Sequence, residues 1–186
     1  MLLLFLVSLN SMILIVSIII LNDNLSAVRD KCLAEHYVIV SSLIKDIQAL
    51  EQRGICVEEN IDNLMYSYSR YLQGKGDGLA VALSGEWIYR NSEFMPKENR
   101  FFQQDSDGGQ DRLTYMENDS SPVLYIYGSL PKPWQNYGLL YIGNLNDTIT
   151  SWRHTKNILF LTGAIMMIVM AFFLFQFLNI IFRPLR

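Results

Sequence analysis

Ile158–Phe182 reads ILFLTGAIMMIVMAFFLFQFLNIIF, and only Thr162, Gln176 and Asn179 interrupt its apolar side chains. A helix needs about 20 mainly apolar residues to cross about 30 Å of hydrocarbon, so this run is long enough to span a bilayer. Inside a membrane only a helix or a closed barrel satisfies its own backbone, and the run lacks the alternation of a barrel strand. At the other end of the chain, Met1–Leu21 reads MLLLFLVSLNSMILIVSIIIL, with Ser8, Asn10, Ser11 and Ser17 as its only polar residues. The competing reading there is a cleaved signal peptide, which carries a basic leader and a small-residue cleavage site. No Lys or Arg precedes the run, and Leu21-Asn22-Asp23-Asn24-Leu25 offers no Ala-x-Ala pattern, so the segment is expected to remain as an anchor.

Working inward, the expected organisation is a transmembrane helix over 1–21, a folded domain over 22–157, a second transmembrane helix over 158–182, and a short tail over 183–186. Arg183 and Arg186 flank the second run on one side, Arg153 and Lys156 on the other, so basic residues alone orient it weakly. Two crossings return the chain to its starting side. A large folded segment after a very short N-terminus favours an extracellular central domain, cytoplasmic termini and a multi-pass protein of the cell membrane. Without Arg183 and Arg186 the chain holds 13 basic against 18 acidic residues, a formal net charge of −5. An acidic domain of this kind is a poor binder of nucleic acid.

The middle also lacks the marks of an enzyme. It has no nucleophile elbow, no metal-ligand spacing and no paired carboxylates in a recognisable frame, so neither catalytic residues, nor a metal, nor a cofactor is expected. Asp105–Asp111 superficially resembles a calcium loop, but Gly109 stands at a ligand position and the downstream Glu is misplaced, which favours a solvated loop. Asn24, Asn118 and Asn146 match the glycosylation pattern, which is too short to carry weight. Cys32 and Cys56 are too far apart for one bridge if the intervening chain is helical: about 30 Å at 1.5 Å per residue, against the roughly 7 Å that a disulfide allows. A Cys32–Cys32 bridge across a parallel dimer and two free cysteines both remain open.

Between the runs the periodicity predicts an α+β domain. Val28, Cys32, Ile39, Leu43, Ile47 and Leu50 keep helical spacing, so a helix is expected to continue out of the first run and stop at Arg53-Gly54. Its apolar stripe suits packing on the domain's own sheet, and also on a symmetry mate in a homodimer. A second helix is expected over Glu58–Gln73, and the glycine-rich Gly74–Gly78 reads as a turn, because a phosphate-cradling loop opens a helix and this one precedes a strand. Period-two patterns then predict an antiparallel sheet of about five strands: Leu79–Leu83 and Trp87–Arg90 about a Ser84-Gly85 turn, then Arg112–Glu117, Val123–Tyr127 and Tyr137–Gly143.

Tyr125 and Tyr127 share one side of their strand, and Tyr137 and Tyr141 share one side of theirs. If the registers agree, the sheet has an aliphatic face for the helices and a tyrosine face for an extracellular ligand or partner protein. On that reading Tyr125, Tyr127, Tyr137 and Tyr141 contact the ligand, and Arg90, Arg100 and Arg112 are the candidates to hold an anion. The plainer reading is a half-exposed sheet covered by tyrosines and surface arginines. His36 is expected as a polar position on the first helix.

In this order the parts resemble the sensor half of a bacterial membrane receptor with a Cache/PDC domain. Leu83-Ser84-Gly85-Glu86-Trp87-Ile88-Tyr89-Arg90-Asn91 resembles that family's first β-turn-β unit. Tyr141-Ile142-Gly143-Asn144-Leu145-Asn146-Asp147-Thr148-Ile149 resembles its last strand and exit helix, and Phe182-Arg183-Pro184-Leu185-Arg186 resembles the opening of a HAMP linker. The resemblance implies a PAS/Cache-like sheet, a homodimer joined through the first helix and the membrane helices, and a two-component sensor histidine kinase as parent. The phosphoacceptor helix and ATP-binding domain of such a kinase are absent from these residues, and neither His36 nor His154 matches the phosphoacceptor. The alternatives are the input half of a chemotaxis receptor or cyclic-dinucleotide enzyme, and a stand-alone membrane-anchored protein that binds a partner.

Overall fold

A computed structural model describes residues 2–92, 94–96, 112–118 and 121–182. Arg100, the Asp105–Asp111 loop and Arg183–Arg186 lie outside the described residues. The chain is α+β. Helix α1 (Leu2–Gln52) and helix α2 (Val57–Gln73) precede strands β1 (Gly78–Leu83), β2 (Glu86–Asn91), β3 (Leu113–Asn118), β4 (Pro122–Ser129) and β5 (Tyr137–Asn144), and helix α3 (Asn146–Phe182) follows. Two compact units result: residues 27–146 form one, and the chain's two ends, through Ser26 and from Asp147, form the other.

In the unit of the chain's ends, Val7–Gln52 and Asn146–Ile180 contain stretches long and apolar enough to cross a membrane. Within it the indole N–H of Trp152 donates to the Ser17 carbonyl at 2.9 Å, and Ile13 lies so close over Gly163 that a Cβ there would collide.

The other unit is a five-stranded antiparallel sheet of order β2-β1-β5-β4-β3 with helices on one face. Its turns follow from glycine. Gly54 has φ 69°, its N–H donates to the Glu51 carbonyl, and the Ile55 N–H reaches back to Leu50 at 3.0 Å. This Schellman closure ends α1 at Gln52, just before the Arg53-Gly54 stop that the sequence predicts. Gly76 (φ 75°) repeats it beyond α2, with the Asp77 N–H donating to the Leu72 carbonyl at 3.1 Å. Ser84 and Gly85 both take positive φ in the two-residue β1–β2 hairpin, the geometry that matches strand twist.

Register corrects one expectation. Tyr125 pairs with Ile142 and Tyr127 with Leu140, while Tyr141 pairs with Ile126. Directly paired residues share a face, so the tyrosines of β4 and β5 lie on opposite faces, and neither face is purely aliphatic or tyrosine-rich. On the first face Ala80, Val123, Tyr125, Leu140 and Ile142 form a core cluster, flanked by Trp87, Phe94, Met95, Leu113 and Tyr127. Gly138 is required there, because a Cβ would strike the Tyr127 ring. The second face, with Leu79, Val81, Leu124, Ile126, Leu139 and Tyr141, meets the helices.

That packing also settles where the stripe of α1 goes. Cys32, Ile39, Leu43 and Ile47 are buried inside this unit, so they are not available to a symmetry mate. Cys32 is free, with its sulfur against Gly143, which removes the premise of a Cys32–Cys32 bridge. His36, the polar position expected on the first helix, is likewise fully buried.

Candidate functional site

On the helix-facing side of the sheet, β5 carries Tyr141, whose side chain is fully buried. Helical spacing from Cys32 brings Glu35 of α1 over it, and the Gly76 turn delivers Lys75 and Asp77 to the same place. The Tyr141 hydroxyl lies 2.7 Å from Glu35 Oε2 and 2.7 Å from Asp77 Oδ2. A hydroxyl carries one proton and so donates to one of these oxygens at a time. Lys75 Nζ donates to Glu35 Oε1 and to the Tyr71 hydroxyl, each at 2.7 Å. On the far side, Asp77 Oδ1 accepts the backbone N–H of Asn144 at 2.9 Å, and the Asn144 side-chain oxygen accepts the N–H of Asn146 at 2.9 Å. A chain of close polar contacts therefore runs from α1 through Glu35, Tyr141, Asp77 and Asn144 to the first residue of α3.

The electrostatics fit a tie between elements. Burial pushes the Glu35 carboxyl up, but the hydrogen bonds from Lys75 and Tyr141 and the Lys75 charge outweigh it and hold it below its ordinary value. Burial and the two carboxylates drive the Tyr141 phenol far up, and the Lys75 ammonium is held charged chiefly by Glu35. Burial, then the charges of Asp77 and Glu35, push the Cys32 thiol up to about 11. A thiol so raised is inert at neutral pH.

A second cluster lies farther along α1. The His36 ring donates from Nε2 to the Leu139 carbonyl at 3.1 Å; a carbonyl only accepts, which fixes the tautomer and leaves Nδ1 as a bare acceptor. Burial first, and the Arg112 charge after it, hold His36 down at about 4 despite that bond. The Arg112 guanidinium stacks 3.0 Å over the Tyr37 ring, and Arg112 and His36 crowd Gly128, where a Cβ would sit 3.2 Å from each. His36 Nδ1 and Arg112 Nη1 are buried without a hydrogen-bond partner among the described residues.

The residues singled out from sequence are thus dispersed. Tyr125 donates to Glu117 at 3.1 Å and stacks on Tyr115 on one face of the sheet, with Tyr127 beside it. Tyr137 donates to Glu58 of α2 at 2.6 Å, and Tyr141 joins the chain described above, both on the other face. Arg90 belongs to β2 and is exposed on the face of Ala80, whereas Arg112 adjoins β3 on the helix side. These strands are opposite edges of the sheet, so the two arginines do not converge. Glu35, Lys75 and Asp77 were not singled out, and His36 was named only as a polar position on the first helix. Glu35 and His36 had a readable signal, as polar residues in the buried phase of an apolar stripe. Lys75 and Asp77 sat inside a turn whose glycines explained the turn without them.

Fold and site together define a class no narrower than an α+β chain with a five-stranded antiparallel sheet and two helices long and apolar enough to cross a membrane. No protein-family description, curated protein or solved structure matches the chain.

Proposed function

We propose that this chain is the signal-input part of a transmembrane receptor, a Cache/PDC-like sensor held outside the cell that passes a cue to a cytoplasmic histidine kinase. The observation that carries this reading is the double role of β5. Leu140 and Ile142 belong to the cluster on one face of the sheet, Tyr141 between them is tied to α1 on the other, and the strand passes within two residues into α3. A cue that alters the packing of the Tyr125, Leu140 and Ile142 face shifts β5, and the shift reaches Glu35 and Asn146 through the same strand. Such coupling requires that the cue bind two arrangements of the tie with different affinity.

The test has two parts. Reading the coding frame past Arg186 is expected to reveal a linker, a histidine-bearing helix and an ATP-binding domain; a stop codon there overturns the kinase reading. In membranes holding that longer protein, Tyr141→Phe is expected to shift basal autophosphorylation about fivefold or more, the lower end of ordinary coupling energies. Unchanged phosphorylation with an intact fold overturns the relay through Tyr141.

A further inference from the structure

His36 of α1 and Arg112, the residue before β3, meet over Gly128, where the sheet offers them no side chain. The imidazole is not free to turn toward another partner, because Nε2 is held on the Leu139 carbonyl at 3.1 Å. Its Nδ1, a bare acceptor, and Arg112 Nη1, a bare donor, are both buried without a hydrogen-bond partner among the described residues. Buried polar atoms left unpaired are costly, and each calls for an explanation. The charge beside them is also unanswered. Arg112 forms no ion pair among the described residues, although the chain is acidic. Burial lowers its pKa, and Tyr37 alone works the other way. Glu35, the carboxylate next to His36 in sequence, is committed to Lys75 and Tyr141. The Arg112 charge is therefore the one that acts on His36, lowering its proton affinity after burial has done so.

A water molecule serves a bare donor and a bare acceptor, but it leaves the guanidinium charge uncompensated. A small anion answers that charge, and it is served by both side chains once Nδ1 carries a proton and donates as Nη1 does. We propose that His36 and Arg112 bind a small oxyanion, such as a carboxylate or sulfate, on the helix side of the sheet, together with one proton taken up on His36 Nδ1. Tyr37, which is 53% exposed and lies over the guanidinium, is the outer wall of the site. The ion enters as that side chain changes rotamer, which exposed residues do within about nanoseconds. This site is not the tyrosine face expected from sequence: Tyr125 and Tyr127 occupy the other face, and Arg90 the opposite edge. The inference concerns the sheet unit alone and is independent of any kinase.

The full chain carrying His154→Gln keeps His36 as its one imidazole. Held in detergent micelles with ring-labelled histidine, it is titrated by nitrogen NMR in sodium sulfate and in sodium chloride of matched ionic strength. In chloride His36 is expected to titrate at about 4. Sulfate at about 10 mM is expected to raise that midpoint by about one pH unit, a tenfold coupling between ion and proton. Arg112→Gln should abolish the difference between the salts, and Arg112→Lys, which keeps the charge, should retain part of it. Identical titrations in the two salts overturn the site and leave the two atoms to water or to packing; that comparison requires no change at either residue. A sulfate-dependent rise of equal size in Arg112→Gln places the ion elsewhere and overturns it as well. Neither result bears on the kinase reading, which is measured by phosphorylation.

Discussion

His36 is a buried imidazole held neutral, and it makes the sheet unit sensitive to acid. Its value of about 4 in the fold stands against 6.5 in an open chain. Between those values the unfolded state binds the proton and the folded state does not, so stability is fully present above about 6.5 and is lost as pH falls toward 4. From pH 7 to pH 5 the loss is expected to be about 2 kcal/mol, at 1.36 kcal/mol per unit. Glu35, whose carboxyl is held below its ordinary value, adds a loss of the same sign at lower pH. Chemical denaturation in detergent at both pH values measures this. His36→Gln should flatten the slope between them, and an unchanged slope would exclude His36 as its source. At the same scale Tyr68, Tyr125, Tyr137 and Tyr141 all donate to carboxylates of the chain itself. Glu35, Asp46, Glu58, Asp77 and Glu117 thus secure tyrosines between elements.

Elements were the legible scale, and the reason is periodicity. Apolar spacing located α2 from Glu58 against an observed Val57, and period-two alternation located all five strands to within a residue or two. What alternation cannot supply is the phase between neighbouring strands. Odd-numbered residues of β4 pair with even-numbered residues of β5, as Tyr127 does with Leu140, and the loop between them sets that parity through its length and shape. The four candidate tyrosines, all odd-numbered, were therefore divided between two faces by a property no single strand encodes. Glycine chemistry at element ends makes a sharper prediction. Gly76 sits at φ 75°, where a side chain costs about 1 kcal/mol or more, while Gly74 is right-handed with ordinary contacts. Gly76→Ala is expected to destabilise by about 1 kcal/mol and loosen Asp77, and Gly74→Ala to be close to neutral. Equal effects in thermal melts would contradict the left-handed assignment.

For the molecule as a whole, the two cysteines report on topology. Cys56 is exposed and Cys32 is buried with a raised thiol. If the central unit lies outside the cell, a membrane-impermeant maleimide applied to intact cells should label Cys56 within minutes, and Cys56→Ser should abolish the signal. Labelling only after lysis would place the unit inside and overturn the proposed orientation. Two helices long and apolar enough to cross a membrane were legible from the two apolar runs, because a bilayer's thickness translates directly into a length of sequence. The chain of contacts from Glu35 to Asn146 was not, since it joins residues more than a hundred positions apart.

The place of β5 in the sheet has a consequence for biogenesis. It is the last strand in sequence, yet it sits in the middle, between β1 and β4. On a ribosome the β1–β2 and β3–β4 hairpins emerge first, and each keeps an unpaired edge until Tyr137–Asn144 arrives to join them. Late, non-local pairing of this kind is slow and leaves strand edges exposed to other chains. The residues that close the sheet are followed closely by the second apolar run, so completion of the fold and emergence of that run fall within the same brief stage of synthesis.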